Sequence, residues 1–132
     1  MRGRKPNARN TYDHLVDAPE PPAWFSEPAA EEWNRVAPIL IERRTLTEGD
    51  LAALTSFCLA VATIRECQQI LQAEGLVVMS ANGSSKRHPA SSAQASAMTS
   101  MRQLAAELGL TPVSRSRPAV RDADEDDDLL ID

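Results

Sequence analysis

The most constraining feature of this chain is a long helical segment that lacks a continuous polar face. Residues 51–64 contain no charged side chain, and their apolar residues cover nearly every side of a helix. Thr47 precedes the segment with Asp50 three residues later, which approximates a capping box, and Gly75 follows it. We therefore predict a helix from about Glu48 to Glu74. A helix that is apolar all round is buried on all sides.

The chain is short for a fold that must bury such a helix. It has 132 residues, and only roughly 85 to 90 of them have a core-forming pattern, near the lower limit for an independent core. Part of the surface that buries this helix is therefore expected to come from a second copy of the chain. The residues that we assign to this oligomer interface are Leu51, Leu54, Phe57, Cys58 and Val61.

Two further helices are predicted, one on each side of the central helix. The first begins at Ser26, with Pro28 in its first turn, and carries apolar residues at helical spacing. Pro38 lies inside it and predicts a kink or a break. The last helix spans about residues 89–108 and ends at Gly109.

The segment between the second and third helices is less determined. Residues 76–79 favour a strand, and Asn82-Gly83 favours a turn, so a small hairpin, an ordered loop and a mobile loop all remain open. The predicted fold is a small all-α domain with three main helices. We divide the chain into a flexible basic arm (residues 1–22), a helical oligomerisation core (23–118) and an acidic flexible tail (119–132).

Charge is distributed unevenly along the chain. Its formal net charge is -5, from 14 basic and 19 acidic residues, yet residues 122–132 hold seven of the acids and no base. Local basic clusters, rather than the average charge, decide whether a protein binds phosphates. The basic residues form three clusters, at residues 2–9, 86–87 and 115–117. Solvated surface charge explains any one of these clusters equally well, but three clusters together favour DNA binding. The candidate DNA-binding residues are Arg2, Arg4, Lys5, Arg9, Lys86, Arg87, Arg115 and Arg117.

The acidic tail ends in an apolar tripeptide. A charged tract followed by apolar residues is typical of a linear motif that docks on a protein partner. A simple solubilising role is the alternative. The candidate docking residues are Asp126, Asp127, Asp128, Leu129, Leu130 and Ile131.

The sequence offers little for catalysis. It has no glycine-rich phosphate loop, and its Cys and His residues lack the short spacings of a zinc site. Cys58 and Cys67 are nine residues apart, on opposite sides of one helix, so we expect two unpaired, buried thiols. His88, just before Pro89, is expected to cap or orient the third helix. We predict a soluble, intracellular protein that is not an enzyme and uses no cofactor or metal.

An ordered series of short motifs covers roughly residues 3–118. The motifs are Gly-Arg-Lys-Pro at residues 3–6, the prolines of residues 19–22 before Trp24-Phe25, then Trp33, Leu46-Thr47 with Asp50 and Leu54, Gly75-Leu76, His88-Pro89, and Leu108-Gly109-Leu110-Thr111-Pro112. Their order resembles the small subunit of the DNA-packaging terminases of tailed phages, in the group that includes phage HK97 and the family called P27. That family commonly places Gly just before its Leu-Thr pair, where this chain has Thr45, so the turn either tolerates Thr at some cost or is built differently.

The resemblance implies a ring-like homo-oligomer of helical subunits in the host bacterial cytoplasm. Such a protein binds double-stranded viral DNA and presents it to the large terminase subunit, which holds the ATPase and nuclease. Two alternatives remain: a small dimeric DNA-binding regulator, which would need a basic recognition helix, and an enzyme that uses Cys or His.

Overall fold

The computed structural model describes residues 13–113. Their elements, in chain order, are α1 (Glu27–Glu42), a short 3-10 helix (Glu48–Asp50), α2 (Leu51–Glu74), β1 (Val77–Met79), β2 (Ser85–Arg87) and α3 (Pro89–Glu107). The prediction of a mostly helical fold with three main helices is confirmed. The fold is not strictly all-α, because the segment between α2 and α3 forms an antiparallel hairpin.

Helix α1 begins where the sequence predicts. The Ser26 hydroxyl accepts a hydrogen bond from the backbone N–H of Ala29 at 3.4 Å. The predicted break at Pro38 does not occur, because α1 runs through this residue to Glu42. Pro38 is exposed, so its ring lies on the solvent side of the helix and leaves the buried face of α1 uninterrupted.

The turn after α1 uses a left-handed residue one position earlier than Thr45. Arg44 has a φ of 58°, and the N–H of Thr45 bonds the carbonyl of Leu40 at 3.1 Å. This is the pattern of a Schellman ending. Thr47 then donates its N–H to Asp50 Oδ2 at 2.9 Å, as in a capping box. The cap starts the short 3-10 helix, and regular α-helix begins only at Leu51.

The main core lies where all three helices meet. Trp33 and Leu40 of α1 pack in one cluster with Leu54 and Cys58 of α2, and Ala105 of α3 closes it. Three of the predicted interface residues are therefore covered within the subunit: Leu54 and Cys58 are 0% exposed and Phe57 is 4% exposed. Leu51 and Val61 are partly buried against the same cluster.

The last third of α2 has a different environment. Arg65 of α2 pairs with Glu31, in the first turns of α1, at 2.9 Å. Beyond this level a second, smaller cluster forms from Cys67 and Leu71 of α2 and Ala90 of α3. The fold is thus three helices thick at one end and two helices thick at the end that carries the hairpin.

Residues 13–22, which the sequence assigns to the arm, lie against the helices. His14 forms an isolated antiparallel bridge with Thr47. The N–H of Leu15 donates to the carbonyl of Leu46 at 2.7 Å. These contacts place the start of the described chain beside the turn between α1 and the 3-10 helix.

Candidate nucleic-acid and subunit interfaces

Only one of the three predicted basic clusters lies within residues 13–113. Lys86 and Arg87 are adjacent on β2, and both are exposed. The remaining predicted residues lie outside the part that the structure describes: Arg2, Arg4, Lys5, Arg9, Arg115 and Arg117 as DNA contacts, and Asp126, Asp127, Asp128, Leu129, Leu130 and Ile131 as docking residues.

The hairpin sorts its residues onto two faces. Val77 pairs with Arg87 and Val78 with Lys86. Because side chains alternate along a strand and paired residues share a face, Val77, Met79 and Arg87 lie on one face and Lys86 on the other. The first face is open to solvent, since Val77 is 58% and Met79 69% exposed. We call this face the hairpin's outer face.

The base of the hairpin is fixed to the helices through His88. Its N–H donates to the carbonyl of Leu76 at 2.8 Å, and its Nδ1 accepts from the N–H of Ala90 at 3.0 Å. The other ring nitrogen, Nε2, lies 3.5 Å from Glu74 Oε2. The prediction that His88 caps the third helix is confirmed.

The turn of the hairpin is ordered by its polar residues. Gly83 has a φ of 83°, and the N–H of Ser80 donates to the carbonyl of Ser84 at 2.7 Å. Asn82 Oδ1 accepts from the N–H of Ser84 at 3.2 Å. Of the three possibilities left by the sequence, the hairpin is the one that forms.

The hairpin lies in the longest acid-free part of the described chain. Residues 13–113 contain seven Lys and Arg against twelve Asp and Glu, whereas residues 75–106 contain Lys86, Arg87 and Arg102 and no acid. An acidic surface repels DNA phosphates. Within the described chain, the hairpin is therefore the region whose charge best suits a phosphate backbone.

A further basic residue, which the sequence analysis did not assign to DNA, lies at the opposite end of the fold. Arg43 Nη1 donates to the carbonyl of Gly109 at 3.4 Å, which joins the end of α1 to the end of α3. Thr47, the bridge partner of His14, follows four residues later. Both ends of the described chain therefore lie near this turn. Arg43 is readable in the sequence, but its closeness to Gly109 depends on tertiary packing.

Helices α2 and α3 form a shallow groove on the surface of the three-helix end. Its volume is about 510 Å³. Leu59, which is 37% exposed, and Leu104 supply its large apolar side chains. We call it the α2–α3 groove; its lining residues are Ser56, Leu59, Ala60, Thr63, Ala97, Ser100, Gln103, Leu104 and Glu107.

The two cysteines are unpaired and buried, as predicted. Burial, with a smaller effect of the nearby Glu32 carboxylate, raises the pKa of the Cys58 thiol to about 12. A thiol with so high a pKa is a poor nucleophile at neutral pH. Within residues 13–113, no group of three or more His, Cys, Asp or Glu side chains could hold a metal ion. No helix of this part has the length and apolarity of a membrane span.

Comparison with known proteins identifies a family. Residues 29–125 match the family model described as phage terminase, small subunit. No curated protein and no solved structure matches the chain. The matched range includes α1 except its first two residues, the hairpin, α2 and α3.

Proposed function

Since this chain belongs to the phage terminase small-subunit family, we propose that it binds double-stranded viral DNA and presents it to the large terminase subunit for packaging into the procapsid. The observation that carries the proposal is the family match over residues 29–125. In this role the chain is a binding subunit, and the chemistry of packaging belongs to the large subunit. It acts in the cytoplasm of the infected bacterium as a homo-oligomer.

The charge distribution supports the basic arm as the main DNA contact. Arg2, Arg4, Lys5 and Arg9 occur in a segment of twelve residues that contains no acid, whereas the body has more acids than bases. Each phosphate that a cation neutralises releases counterions, which makes binding weaker at higher salt. Lys86 and Arg87 form a second contact site, and Arg115 and Arg117 a third.

DNA titrations at several salt concentrations test this proposal. We expect the wild-type chain to bind a fluorescently labelled linear duplex more weakly as NaCl increases. Replacing the four arm residues by Ala should reduce the slope of log K against log salt by roughly 3 to 4, because each phosphate contact contributes about 0.9. A wild-type chain without salt-sensitive binding would contradict the proposed function.

Matched variants then distinguish the arm from the body. Arg65→Ala with Arg102→Ala removes two exposed charges from α2 and α3, and we expect duplex affinity to change little. Lys86→Ala removes one charge from the hairpin and should weaken binding several-fold. If the four-residue arm variant binds as wild type does, the main contact is at the hairpin or at Arg115 and Arg117.

The acidic tail is proposed as the contact with the large subunit. Its aspartates at 126–128 lead into Leu129, Leu130 and Ile131, a pattern that gains affinity when the apolar end is buried by a partner. Deleting residues 122–132 should abolish co-purification with the large subunit and leave duplex binding intact. If the truncated chain still binds the large subunit, the docking surface lies elsewhere.

A further inference from the structure

Two exposed and partly apolar surfaces lie at opposite ends of the α2–α3 pair: the hairpin's outer face and the α2–α3 groove. We propose that the hairpin's outer face of one copy docks into the α2–α3 groove of the next copy, so that subunits join head to tail. This inference rests on the proposed homo-oligomer and specifies how it is built. It adds Leu59, Val77 and Met79 to the candidate interface residues.

The hairpin's outer face is exposed, yet it has the apolar residues that are typical of a surface buried by a partner. Val77 and Met79 lie two residues apart on the same face of β1, and both are more than half exposed. Exposed apolar residues that adjoin one another mark a surface that binds another molecule. The anchored base at His88 and the hydrogen-bonded turn give this surface a defined shape before it binds.

The groove offers the complementary chemistry. Its lining combines the apolar residues Leu59, Ala60, Ala97 and Leu104 with polar ones, and includes the carboxylate of Glu107. Arg87 lies on the same face of the hairpin as Val77 and Met79, and its Nε donates to the Ser91 hydroxyl of its own α3 at 2.9 Å. Its remaining guanidinium N–H groups would meet the Glu107 carboxylate when the apolar side chains enter the groove. Charge complementarity of this kind fixes the register and orientation of a contact.

The same chain cannot make this contact with itself. Thr63, the last groove residue on α2, is twelve residues before Gly75, where the helix ends. At about 1.5 Å per residue the groove and the hairpin are separated by roughly 18 Å along the helix. The three-residue strands are too short to fold back over that distance, so a hairpin that fills the groove must come from a second copy.

A contact between two different surfaces has a consequence for assembly. A dimer joined in this way retains one unused hairpin, on one copy, and one unused groove, on the other, so association continues until the ring closes. The contact also gives Lys86 and Arg87 different roles. In the assembled ring Arg87 serves the subunit contact rather than the DNA contact proposed for the free chain, whereas Lys86 lies on the opposite face and remains available to DNA.

Complementation between two assembly-defective variants tests the proposal. Met79→Asp disables the hairpin and Leu59→Asp disables the groove, and both positions are exposed, so each variant should retain the helical circular dichroism of the wild type. By native mass spectrometry, we expect each variant alone to be monomeric. An equimolar mixture should give a heterodimer and nothing larger, because only one intact hairpin can meet one intact groove.

Further variants separate this contact from other possibilities. Val16→Asp, at a residue that is 79% exposed and outside both surfaces, should retain the wild-type oligomer. Arg87→Glu should weaken assembly, and adding Glu107→Arg in the same chain should restore it. Variants at Met79 and Leu59 that retain the wild-type oligomer, or a mixture that stays monomeric, would overturn the head-to-tail contact and leave DNA binding untouched.

Two remaining outcomes are also distinct. If Met79→Asp retains the oligomer but loses duplex binding, the hairpin is a DNA contact and not a subunit contact. If the wild-type chain is monomeric at tens of micromolar, the head-to-tail contact and the proposed homo-oligomer fail together. The salt-dependent titrations would then decide separately whether the chain binds DNA.

Discussion

The indole Nε1 of Trp33 donates a hydrogen bond to the backbone carbonyl of Pro19 at 2.8 Å. Trp33 lies on the buried face of α1 and is 3% exposed. Its ring also meets that of Phe25 edge to face, with 5.8 Å between centroids. One side chain therefore fills the core and holds the proline-rich lead-in against α1.

Replacing Trp33 separates these two roles. Trp33→Phe keeps an aromatic ring but removes the bond to Pro19, so we expect a loss of about 1 kcal/mol in the free energy of unfolding. Trp33→Ala also leaves a cavity and should cost about 3 to 5 kcal/mol. Urea unfolding measures both values, and limited proteolysis should show faster cleavage within residues 13–22. Trp24→Phe, at an exposed position, is the control and should leave both unchanged.

Leu54 and Leu59, five residues apart on α2, should respond differently to truncation. Leu54 is fully buried within the subunit, so Leu54→Ala should reduce the free energy of unfolding by about 2 to 5 kcal/mol. Leu59→Ala should change the unfolding of an isolated subunit by less than about 1 kcal/mol, and should instead reduce oligomer mass at low protein concentration. Equal loss of stability in both variants would contradict this division of α2 into core and surface.

The end of α3 depends on a glycine for conformational reasons. Gly109 has a φ of 74°, and a Cβ there would meet no other atom. Gly109→Ala should therefore cost about 1 kcal/mol from backbone strain alone. Gly49→Ala is the matched control, because no positive φ applies there and its Cβ would make only an ordinary contact with Thr47. Thermal unfolding should show a lower midpoint for the Gly109 variant only.

The buried thiol of Cys58 predicts a loss of stability in alkali. The thiol titrates near 9.0 when unfolded, and burial raises its pKa to about 12 in the fold. Its contribution is fully present below pH 9 and is lost as pH rises from about 9 toward 12, because only the unfolded chain then releases the proton. Urea unfolding between pH 8 and 10.5 should show a steeper decline for the wild type than for Cys58→Ala. Parallel curves would contradict a raised pKa.

Local signals in the sequence predicted most of the helical framework. The cap at Ser26, the stop at Gly75 and the capping role of His88 each depend on a few neighbouring residues, and all three are confirmed. Of the kink or break predicted at Pro38, the break is wrong, because α1 continues through this residue to Glu42. Of the two possibilities left open for the turn after α1, the turn is built differently: Arg44 adopts the left-handed conformation, and the N–H of Thr45 forms the closing hydrogen bond with Leu40.

The candidate interfaces could be predicted from the sequence less fully than the helices. The composition of α2 indicated burial on all sides but could not say whether the cover came from the same chain or another. In the fold, residues of α1 and α3 bury Leu54 and Cys58 within the same chain. The exposure of Val77 and Met79 and the groove beside Leu59 depend on which faces pack against each other, and residue spacing does not encode that relationship.

Within residues 13–113, helix α2 packs against both α1 and α3 near Leu54 but only against α3 near Leu71. This difference has a kinetic consequence. Backbone amides near Leu54 can exchange with solvent deuterium only when the main core opens, whereas those near Leu71 are released when the smaller cluster with Ala90 separates. The hairpin end should thus open many times for each opening of the whole subunit. A neighbour bound at that end would slow its exchange most, so the least protected amides of the free chain are the most sensitive reporters of assembly.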